Sequence, residues 1–144
     1  MRLTAFTDFG LRVLMRLAGS PGRVVTTEAL AAELAVSRHH LTKVVRALGA
    51  AGFVSTSRGA GGGFRLARPA GAITVGDVVR RLEGRHALVE CFRADGGACV
   101  LTPGCRLKRH LARAREAFLA ELETVTIAEC AAPPPTVSPA AMAT

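Results

Sequence analysis

Two short helical patterns, separated by a minimal turn, constrain the fold of this chain more than any other feature. In the second pattern Ser37 is suited to cap a helix, and apolar residues then recur at the intervals of one helical face: Leu41, Val44, Val45 and Leu48. The first pattern covers residues 28–35, with Thr27 as the predicted cap and Val36 as the turn. Two helices joined in this way form a helix-turn-helix, whose second helix enters the major groove of DNA.

The polar face of the second pattern offers candidate contacts to DNA. The N-terminal residues of a recognition helix point at base edges, and basic residues further along more often meet phosphates. We expect Lys43 and Arg46 at phosphates, and Ser37 at the start of the helix beside the base contacts. The predicted base contacts are Arg38, His39, His40 and Thr42. A solvated face on any small helical domain would show the same polarity, so this alternative stays open.

A glycine-rich segment directly after the second pattern predicts the wing of a winged helix. Strand-like runs at residues 53–57 and 64–68 flank Arg58-Gly59-Ala60-Gly61-Gly62-Gly63. Glycine lets a backbone approach DNA closely, and two arginines add charge. The wing residues that we expect at DNA are Arg58, Gly59, Gly61 and Arg65. A nucleotide phosphate loop does not fit, because no Lys-Ser/Thr pair follows the glycines. A hairpin tip without a ligand is the remaining alternative.

The charge of the chain indicates an anionic partner. Lys and Arg number 19 against 11 Asp and Glu, which gives a net charge of +8 with neutral histidines. Residues 1–84 carry +7 of this charge, and residues 85–144 carry +1. Nucleic acid is the first partner that this balance suggests, and an anionic membrane surface the second. We therefore predict a winged helix-turn-helix DNA-binding domain over residues 1–84.

The rest of the sequence divides into a cysteine-bearing loop with a long helix, residues 85–128, and a tail, residues 129–144. Pro133-Pro134-Pro135 and the small residues around them predict that the tail is disordered. No apolar run approaches the ~18 residues that a membrane-spanning helix requires. Asp8, Arg12 and Arg16 interrupt any export signal, so we expect a cytoplasmic protein that does not contact a membrane.

Three of the four cysteines lie within fifteen residues, and they are Cys91, Cys99 and Cys105. No Cys-x2-Cys pair is present, which weakens a zinc-finger interpretation. Thr102-Pro103 predicts a helix start that places Cys105 in the first turn, where the helix dipole favours a thiolate. Three thiolates on an irregular loop suit an iron–sulfur cluster whose fourth ligand comes from elsewhere. Three incidental reduced cysteines remain the alternative.

A long helix is predicted from residue 103 to about residue 125. Its apolar residues recur at steps of three and four, as in a coiled coil: Leu107, Leu111, Ala114, Phe118, Leu122 and Val125. This helix packs either on its own domain or against a second copy of the chain. We favour a homodimer, because winged helices that read palindromic DNA normally act in pairs. The expected fold is mainly α with a small β-hairpin wing, followed by this dimerisation helix.

Several motifs together resemble the iron–sulfur winged-helix regulator family, in its nitric-oxide-sensing branch. They are Leu3-Thr4-x-Phe6-Thr7-Asp8-Phe9-Gly10-Leu11-Arg12, Ser37-Arg38, Arg58-Gly59-x-Gly61-Gly62-Gly63 and the three cysteines, and the resemblance runs over residues 1–128. It implies a homodimeric repressor that binds inverted-repeat, double-stranded operator DNA. It also implies one [4Fe-4S] cluster per subunit, held by Cys91, Cys99 and Cys105, with Asp8 of the partner subunit completing the coordination. Nitric oxide would then release the DNA and allow expression of detoxification genes.

The sequence departs from this family at two points. Seven residues separate Cys91 from Cys99, which is longer than the usual spacing, and Lys108 stands where cluster-biosynthesis regulators carry a histidine ligand. The lysine argues against a [2Fe-2S] site of that kind. From the residues alone, Asp8 is an acid that complements the dipole at the start of a helix.

Two other functions compete with the nitric-oxide-sensing repressor. One is a thiol- or redox-sensing repressor of the same family without a [4Fe-4S] cluster. The other is a small iron–sulfur electron carrier, against which the wing and the basic helix face argue. We expect no enzyme activity, because the sequence has no Ser/His/Asp ordering, no paired carboxylates and no nucleotide loop.

Overall fold

The computed structural model describes residues 2–59, 61–84 and 86–131, and these form a mainly helical fold with a two-stranded hairpin. The elements in chain order are α1 (Ala5–Ala18), α2 (Thr27–Glu33), α3 (Arg38–Ala50), β1 (Val54–Ser57), β2 (Gly63–Leu66), α4 (Val75–Glu83), α5 (Arg106–Glu123) and α6 (Ile127–Cys130). Short 3-10 turns precede α4 and interrupt the cysteine segment at Glu90–Phe92 and Thr102–Gly104. The predicted fold class, mainly α with a small hairpin, is confirmed.

Side-chain caps fix where the helices begin. The predicted cap Ser37 accepts a hydrogen bond from the His40 N–H at 3.2 Å, and Thr74 caps α4 in the same way. The predicted cap of α2 was wrong by one residue. Thr26, not Thr27, accepts the Ala29 N–H at 3.2 Å, and Thr27 is the first helical residue.

The turn between α2 and α3 is longer than predicted. Helix α2 ends at Glu33, so residues 34–37 connect the helices, and Ala35 adopts a left-handed conformation with φ of 53°. After α3, Gly52 occupies the left-handed position that ends the helix, with φ of 76°.

The core lies between α1, α3 and α4. All four apolar residues of the predicted α3 face are buried, together with Leu14, Phe53, Phe64 and Val78 from neighbouring elements. Each such side chain contributes about 1.5–3 kcal/mol to the free energy of folding when it leaves water, so this packing fixes the apolar face of α3 in the core. The polar face of α3 is thereby left on the surface.

The hairpin is tied to the loop before α2. Strand β1 pairs with β2 in antiparallel register from Val54↔Leu66 to Ser57↔Gly63, and Val25 adds two backbone hydrogen bonds to Phe64, each of 2.9 Å. A side chain at Gly63 would place its Cβ 2.5 Å from the Val25 carbonyl oxygen. Glycine is therefore required there because two backbones approach closely.

The second half of α5 packs on α4. Leu119 is buried, and Arg80 of α4 forms ion pairs with Glu116 at 2.9 Å and Glu123 at 2.6 Å. Leu119 was not part of the predicted apolar seam, and all six seam residues are less buried than it, with Leu107 62% exposed and Ala114 also exposed. The seam therefore splits into a docked C-terminal half and an exposed N-terminal half.

Two details of this region differ from the sequence prediction. Helix α5 begins at Arg106, so Cys105 lies just before the helix, in extended conformation, rather than in its first turn. Helix α6 reaches Cys130, and its buried Ile127 donates a backbone hydrogen bond to Ile73 at 2.8 Å. Residues 129 and 130 of the predicted tail thus belong to a helix, and residues 132–144 lie outside the described residues.

Candidate nucleic-acid interface and cysteine segment

Helix α3 presents a basic, polar surface opposite its buried face. The side chains that form this surface are all exposed, and they are Arg38, His39, Thr42, Lys43 and Arg46. Thr42 Oγ1 donates to the Arg38 carbonyl oxygen at 2.8 Å, so its hydroxyl hydrogen is already used within the helix. Five of the predicted contact residues on α3 therefore face the same solvent region.

The structure places His40 away from this surface. Its ring contacts two aromatic rings of α1, with centroid distances of 5.3 Å to Phe9 and 6.2 Å to Phe6. Its Nε2 atom is buried and has no hydrogen-bond partner among the described residues. We therefore withdraw His40 from the predicted base contacts, because its side chain fills the contact between α1 and α3.

An acidic residue touches the basic surface at its N-terminal end. Oε1 of Glu28, in the first turn of α2, lies 2.6 Å from Nη2 of Arg38, and both side chains are more than half exposed. The sequence prediction missed this contact, because the two residues lie on different helices and neither pattern indicates how the helices meet.

The wing carries its predicted residues into solvent. Arg58, Gly59, Gly61 and Arg65 are all exposed. Gly59 and Gly61 have φ of 96° and 80°, a conformation that other residues rarely adopt, and Gly62 N–H closes the turn on the Gly59 carbonyl oxygen at 2.8 Å. Between them, Ala60 lies outside the described residues. The glycine pattern thus corresponds to a tight turn at the tip of the hairpin.

A groove of about 510 Å³ connects α3 with α2 and β1. It is lined by Thr27, Thr42, Val45, Arg46, Gly49, Ala50 and Thr56. Three threonines from three elements therefore line the same groove as Arg46. Arginine and threonine hydroxyls are common donors to phosphate oxygens, so Arg46, Thr27 and Thr56 fit a phosphate contact, whereas the Thr42 hydroxyl hydrogen is used within α3. Thr27 and Thr56 were not among the predicted residues, because only the folded structure brings them to α3.

The three clustered cysteines lie on the irregular segment between α4 and α5. Cys91 lies in the 3-10 turn Glu90–Phe92, Cys99 in the following loop and Cys105 directly before α5. All are free thiols and half-buried. Within the part of the chain that the structure describes, no three His, Cys, Asp or Glu side chains are gathered so as to hold a metal. The donor set has the right chemistry for an iron–sulfur cluster, but the predicted ligands are not brought together.

The seven residues between Cys91 and Cys99 fold back on themselves. Glu90 Oε1 accepts the Ala98 N–H at 3.0 Å, and Asp95 Oδ1 accepts the Gly97 N–H at 3.0 Å. Gly97 has φ of 64°, and a Cβ there would lie 2.6 Å from the Glu90 carbonyl oxygen. The residues next to Cys91 and Cys99 are thus hydrogen-bonded to one another, which shows how the long spacing is accommodated.

Cys130 and Asp8 lie apart from this segment. Cys130 ends α6 and packs against the hydrophobic core. Asp8 lies in the first turn of α1, and its Oδ2 is 2.9 Å from Nη2 of Arg12 one turn later. Both side chains are about half exposed. The carboxylate is therefore accessible from outside its own subunit.

None of the helices in the described residues combines the length and apolar character that crossing a membrane requires.

Comparisons with known proteins agree with this architecture. A family model described as Rrf2, iron-dependent transcriptional regulator, matches residues 3–133. The chain is 45% identical over 130 residues to the HTH-type transcriptional regulator NsrR of Geobacillus kaustophilus (strain HTA426), covering 90% of this chain and 88% of that protein.

Solved structures give the same result. The structure of CymR, the global cysteine regulator of B. subtilis, has a TM-score of 0.72 and 32% identity, over 91% of this chain and 96% of that one. The structure of T. potens IscR has a TM-score of 0.70 over 90% and 85% of the two chains, and at 24% identity it supports the fold alone. The family match spans nearly the whole described chain, and so the protein belongs to the Rrf2 family of transcriptional regulators.

Proposed function

We propose that this protein is a homodimeric repressor that binds an inverted-repeat operator and senses nitric oxide through a [4Fe-4S] cluster, one per subunit. The observation that carries the proposal is the combination, in one chain, of an exposed recognition-helix face and three free thiols on an irregular segment. The proposed location is the cytoplasm, because a bacterial repressor acts on the chromosome and the bacterial chromosome lies in the cytoplasm.

The proposed DNA contacts follow from exposure and charge. Arg38, His39 and Thr42 would meet base edges, because they lie in the first turns of α3. Lys43 and Arg46 would meet phosphates, with Ser37 holding the first turn of the helix by its cap. The proposed wing contacts are Arg58, Gly59, Gly61 and Arg65.

The proposed dimer contact is the exposed half of α5 and the loop before it. Leu107 is 62% exposed, and Leu101 and Val100 in the loop before α5 are 68% and 89% exposed. Single exposed apolar side chains are common, but three large ones within eight positions of the chain favour a surface that binds another protein. A second copy of α5 would cover them and would set the distance between two recognition helices, which inverted-repeat DNA requires.

The proposed cluster ligands are Cys91, Cys99, Cys105 and Asp8 of the partner subunit. The free thiols and the folded-back loop between the first two support this set, and the exposed position of Asp8 permits a contact from the other subunit. When bound, the cluster would supply the group that reacts with nitric oxide.

The proposed regulation is a shift between two arrangements of the dimer. With Asp8 bound in the partner's site, α1 of one subunit is fixed to the cysteine segment of the other. With Asp8 released, its carboxylate pairs with Arg12 of its own helix, as in the present structure at 2.9 Å. A signal moves this equilibrium only by its different affinity for the two arrangements.

A gel-shift experiment under anaerobic conditions tests the whole proposal. Cluster-loaded protein would be titrated onto an inverted-repeat operator before and after stoichiometric nitric oxide, at one stated salt concentration. Tight binding that is lost on exposure would support the nitric-oxide-sensing repressor. Binding that does not respond to nitric oxide would retain the DNA-binding protein and reject the sensor.

Spectroscopy tests the ligand set independently of DNA binding. Serine at position 91, 99 or 105 should abolish the visible absorption of anaerobically purified protein and lower its iron and sulfide content. Cys130→Ser is the matched control, because this cysteine packs on the core, and it should keep wild-type absorption and iron. Equal loss in all four variants would contradict the assignment.

A thiol-based redox regulator is the second candidate. It is favoured by the observation that the four thiols are free and are not gathered with other metal-binding side chains in the described residues. The 28%-identical structure of Staphylococcus aureus CymR, described as an oxidized form, has a TM-score of 0.69 with this chain. Colourless, iron-free protein whose DNA binding responds to a mild thiol oxidant would favour this candidate.

A further inference from the structure

Glu28 is an acidic residue on an otherwise basic part of the molecule. Between residues 20 and 76 the chain has seven Lys or Arg residues and two carboxylates, Glu28 and Glu33. Glu33 pairs with Arg16 of α1, so it belongs to the contact between α1 and α2. Glu28, in the first turn of α2, instead contacts Arg38, the first residue of α3 and one of the residues that we propose to contact bases.

A carboxylate at that position opposes DNA binding by electrostatic repulsion. DNA phosphates repel a nearby carboxylate, and a pair with Glu28 cancels the charge that Arg38 would otherwise offer to the backbone. Glu28 therefore weakens any binding that depends on charge alone. A protein that needed only to bind DNA of any sequence would bind it more tightly without this carboxylate.

The geometry of the pair shows what Glu28 provides. Oε1 of Glu28 lies 2.6 Å from Nη2 of Arg38, and the other nitrogens of the guanidinium group carry further N–H donors. A guanine base presents two acceptors, O6 and N7, to such a planar group. With Nη2 held by Glu28, the position of the guanidinium group is restrained before DNA arrives, while its other donors stay available to a base.

We propose that Glu28 is a specificity-determining residue of the DNA interface, acting through Arg38. It orients the guanidinium group toward a base edge and withholds its charge from phosphates, so it favours operator DNA over unrelated DNA. The inference rests on the proposed reading of DNA by α3, but not on the cluster or on nitric oxide. Glu28 itself is a positioning residue, because its contact is with Arg38.

Two charge-matched variants of the full-length protein test this role. Glu28→Gln and Glu33→Gln each raise the net charge by one and each remove an ion pair between a glutamate and an arginine. The probes are a duplex enriched from a random-sequence library by the wild-type protein and a scrambled duplex of the same composition. Dissociation constants for both probes would be measured at one salt concentration, and their ratio is the readout.

Glu28→Gln should lower this specificity ratio by about two- to fivefold, the range expected from an exposed ion pair, mainly through tighter binding of the scrambled duplex. Glu33→Gln should leave the ratio unchanged. In the Arg38→Gln background, Glu28→Gln should have no further effect on the ratio. These results would support the proposal.

An unchanged ratio in Glu28→Gln, or an equal change in Glu33→Gln, would overturn the role of Glu28. If the wild-type protein enriched no sequence at all, sequence reading by α3 would fail and this inference with it. Loss of nitric-oxide sensing alone would leave the ratio unaffected, so the two failures are distinguishable.

Discussion

The carboxylate of Glu83, the last residue of α4, caps the start of α1 by accepting two hydrogen bonds from Thr4. The Thr4 backbone N–H lies 2.7 Å from Oε1, and the Thr4 hydroxyl lies 2.8 Å from the same oxygen. Burial raises the pKa of Glu83, but hydrogen bonding by Thr7 and Thr4 outweighs burial and leaves the pKa below its usual value. The ionised form therefore ties the end of α4 to the helix that carries Asp8.

Glu83→Gln should consequently flatten the pH dependence of stability. Because the folded-state pKa is depressed, the stabilisation by Glu83 is present above the unfolded pKa of about 4.3 and is lost as the pH falls through the folded value. We expect the variant to be less stable by roughly 1 kcal/mol at pH 7, and this difference to close towards pH 3. Urea unfolding at several pH values, with a chelator present, measures the difference in stability at pH 7 and its decrease towards pH 3.

Glu121→Gln is the control for the loss of one charge, because Glu121 is exposed on α5. Its difference from wild type should stay small at every pH. A Glu83→Gln difference that is constant between pH 7 and pH 3 would contradict the role of the ionised carboxylate.

The helix-turn-helix and the wing could be predicted because their signals are local. Residues only a few positions apart determine the apolar face of α3 and its Ser37 cap. The same holds for the turn that the glycines of the hairpin form. The cap of α2 could not be chosen from the sequence, since Thr26 and Thr27 are equally suited. The pairing of Val25 with Phe64 keeps the chain extended up to Thr26, and this long-range contact decides between them.

Three features that the sequence missed depend on contacts between different elements of the fold. His40 precedes Val44 by one helical turn, so it lies at the edge of the buried face, and the rings from α1 determine that it faces inward. Glu83 and Thr4 are separated by 79 positions, and Glu28 meets Arg38 across the turn. Residue types alone cannot indicate such partners.

Gly76 should be essential for the docking of α5 on α4. A Cβ at this position would contact Glu123 Cγ and would lie 2.7 Å from the Glu123 backbone nitrogen and 2.9 Å from the Leu119 carbonyl oxygen. These backbone atoms cannot move without the helix that contains them, so Gly76→Ala must displace α5 as a whole. Overpacking of this kind costs about 1–3 kcal/mol, which exceeds the gain of about 1 kcal/mol from the better helix propensity of alanine.

Urea unfolding should therefore show that Gly76→Ala lowers the free energy of unfolding. Gly71→Ala is the matched control, because no described atom lies within 4 Å of a Cβ at Gly71, and its effect should stay within about 0.5 kcal/mol. Equal stability of the two variants would show that α5 does not pack on α4 as closely as the distances around Gly76 require.

Leu107→Asp should convert the proposed dimer into a folded monomer. Leu107 is 62% exposed in the single chain, so the monomer loses little, and an acid near the start of α5 complements the helix dipole. A dimer interface would lose the burial of the exposed part of this side chain in each subunit, about 1–2 kcal/mol each, which weakens the dimer by at least about 20-fold. Sedimentation equilibrium measures this change. Ala120→Asp, on the other side of α5, should remain dimeric, and a dimeric Leu107→Asp would exclude this surface.

Asp8→Ala should uncouple DNA binding from nitric oxide while leaving the fold intact. The Asp8–Arg12 pair is half exposed, so its removal costs at most about 1 kcal/mol. Coupling between two sites typically changes affinity by about 5–150-fold. For wild-type protein we expect the dissociation constant for operator DNA after nitric oxide, divided by the value before it, to lie in this range. In Asp8→Ala the ratio should fall towards one, because the link between α1 and the partner's cysteine segment is absent.

Asp77→Ala is the control for this variant. Asp77 is also an acid in the first turn of a helix, it lies 3.7 Å from Arg68, and its side chain is 49% exposed against 48% for Asp8. If the response depended only on the dipole of a helix start or on an exposed ion pair, both variants would behave alike. Gel shifts with each variant, before and after nitric oxide, decide the matter: a wild-type response in Asp8→Ala would reject Asp8 as the link between subunits.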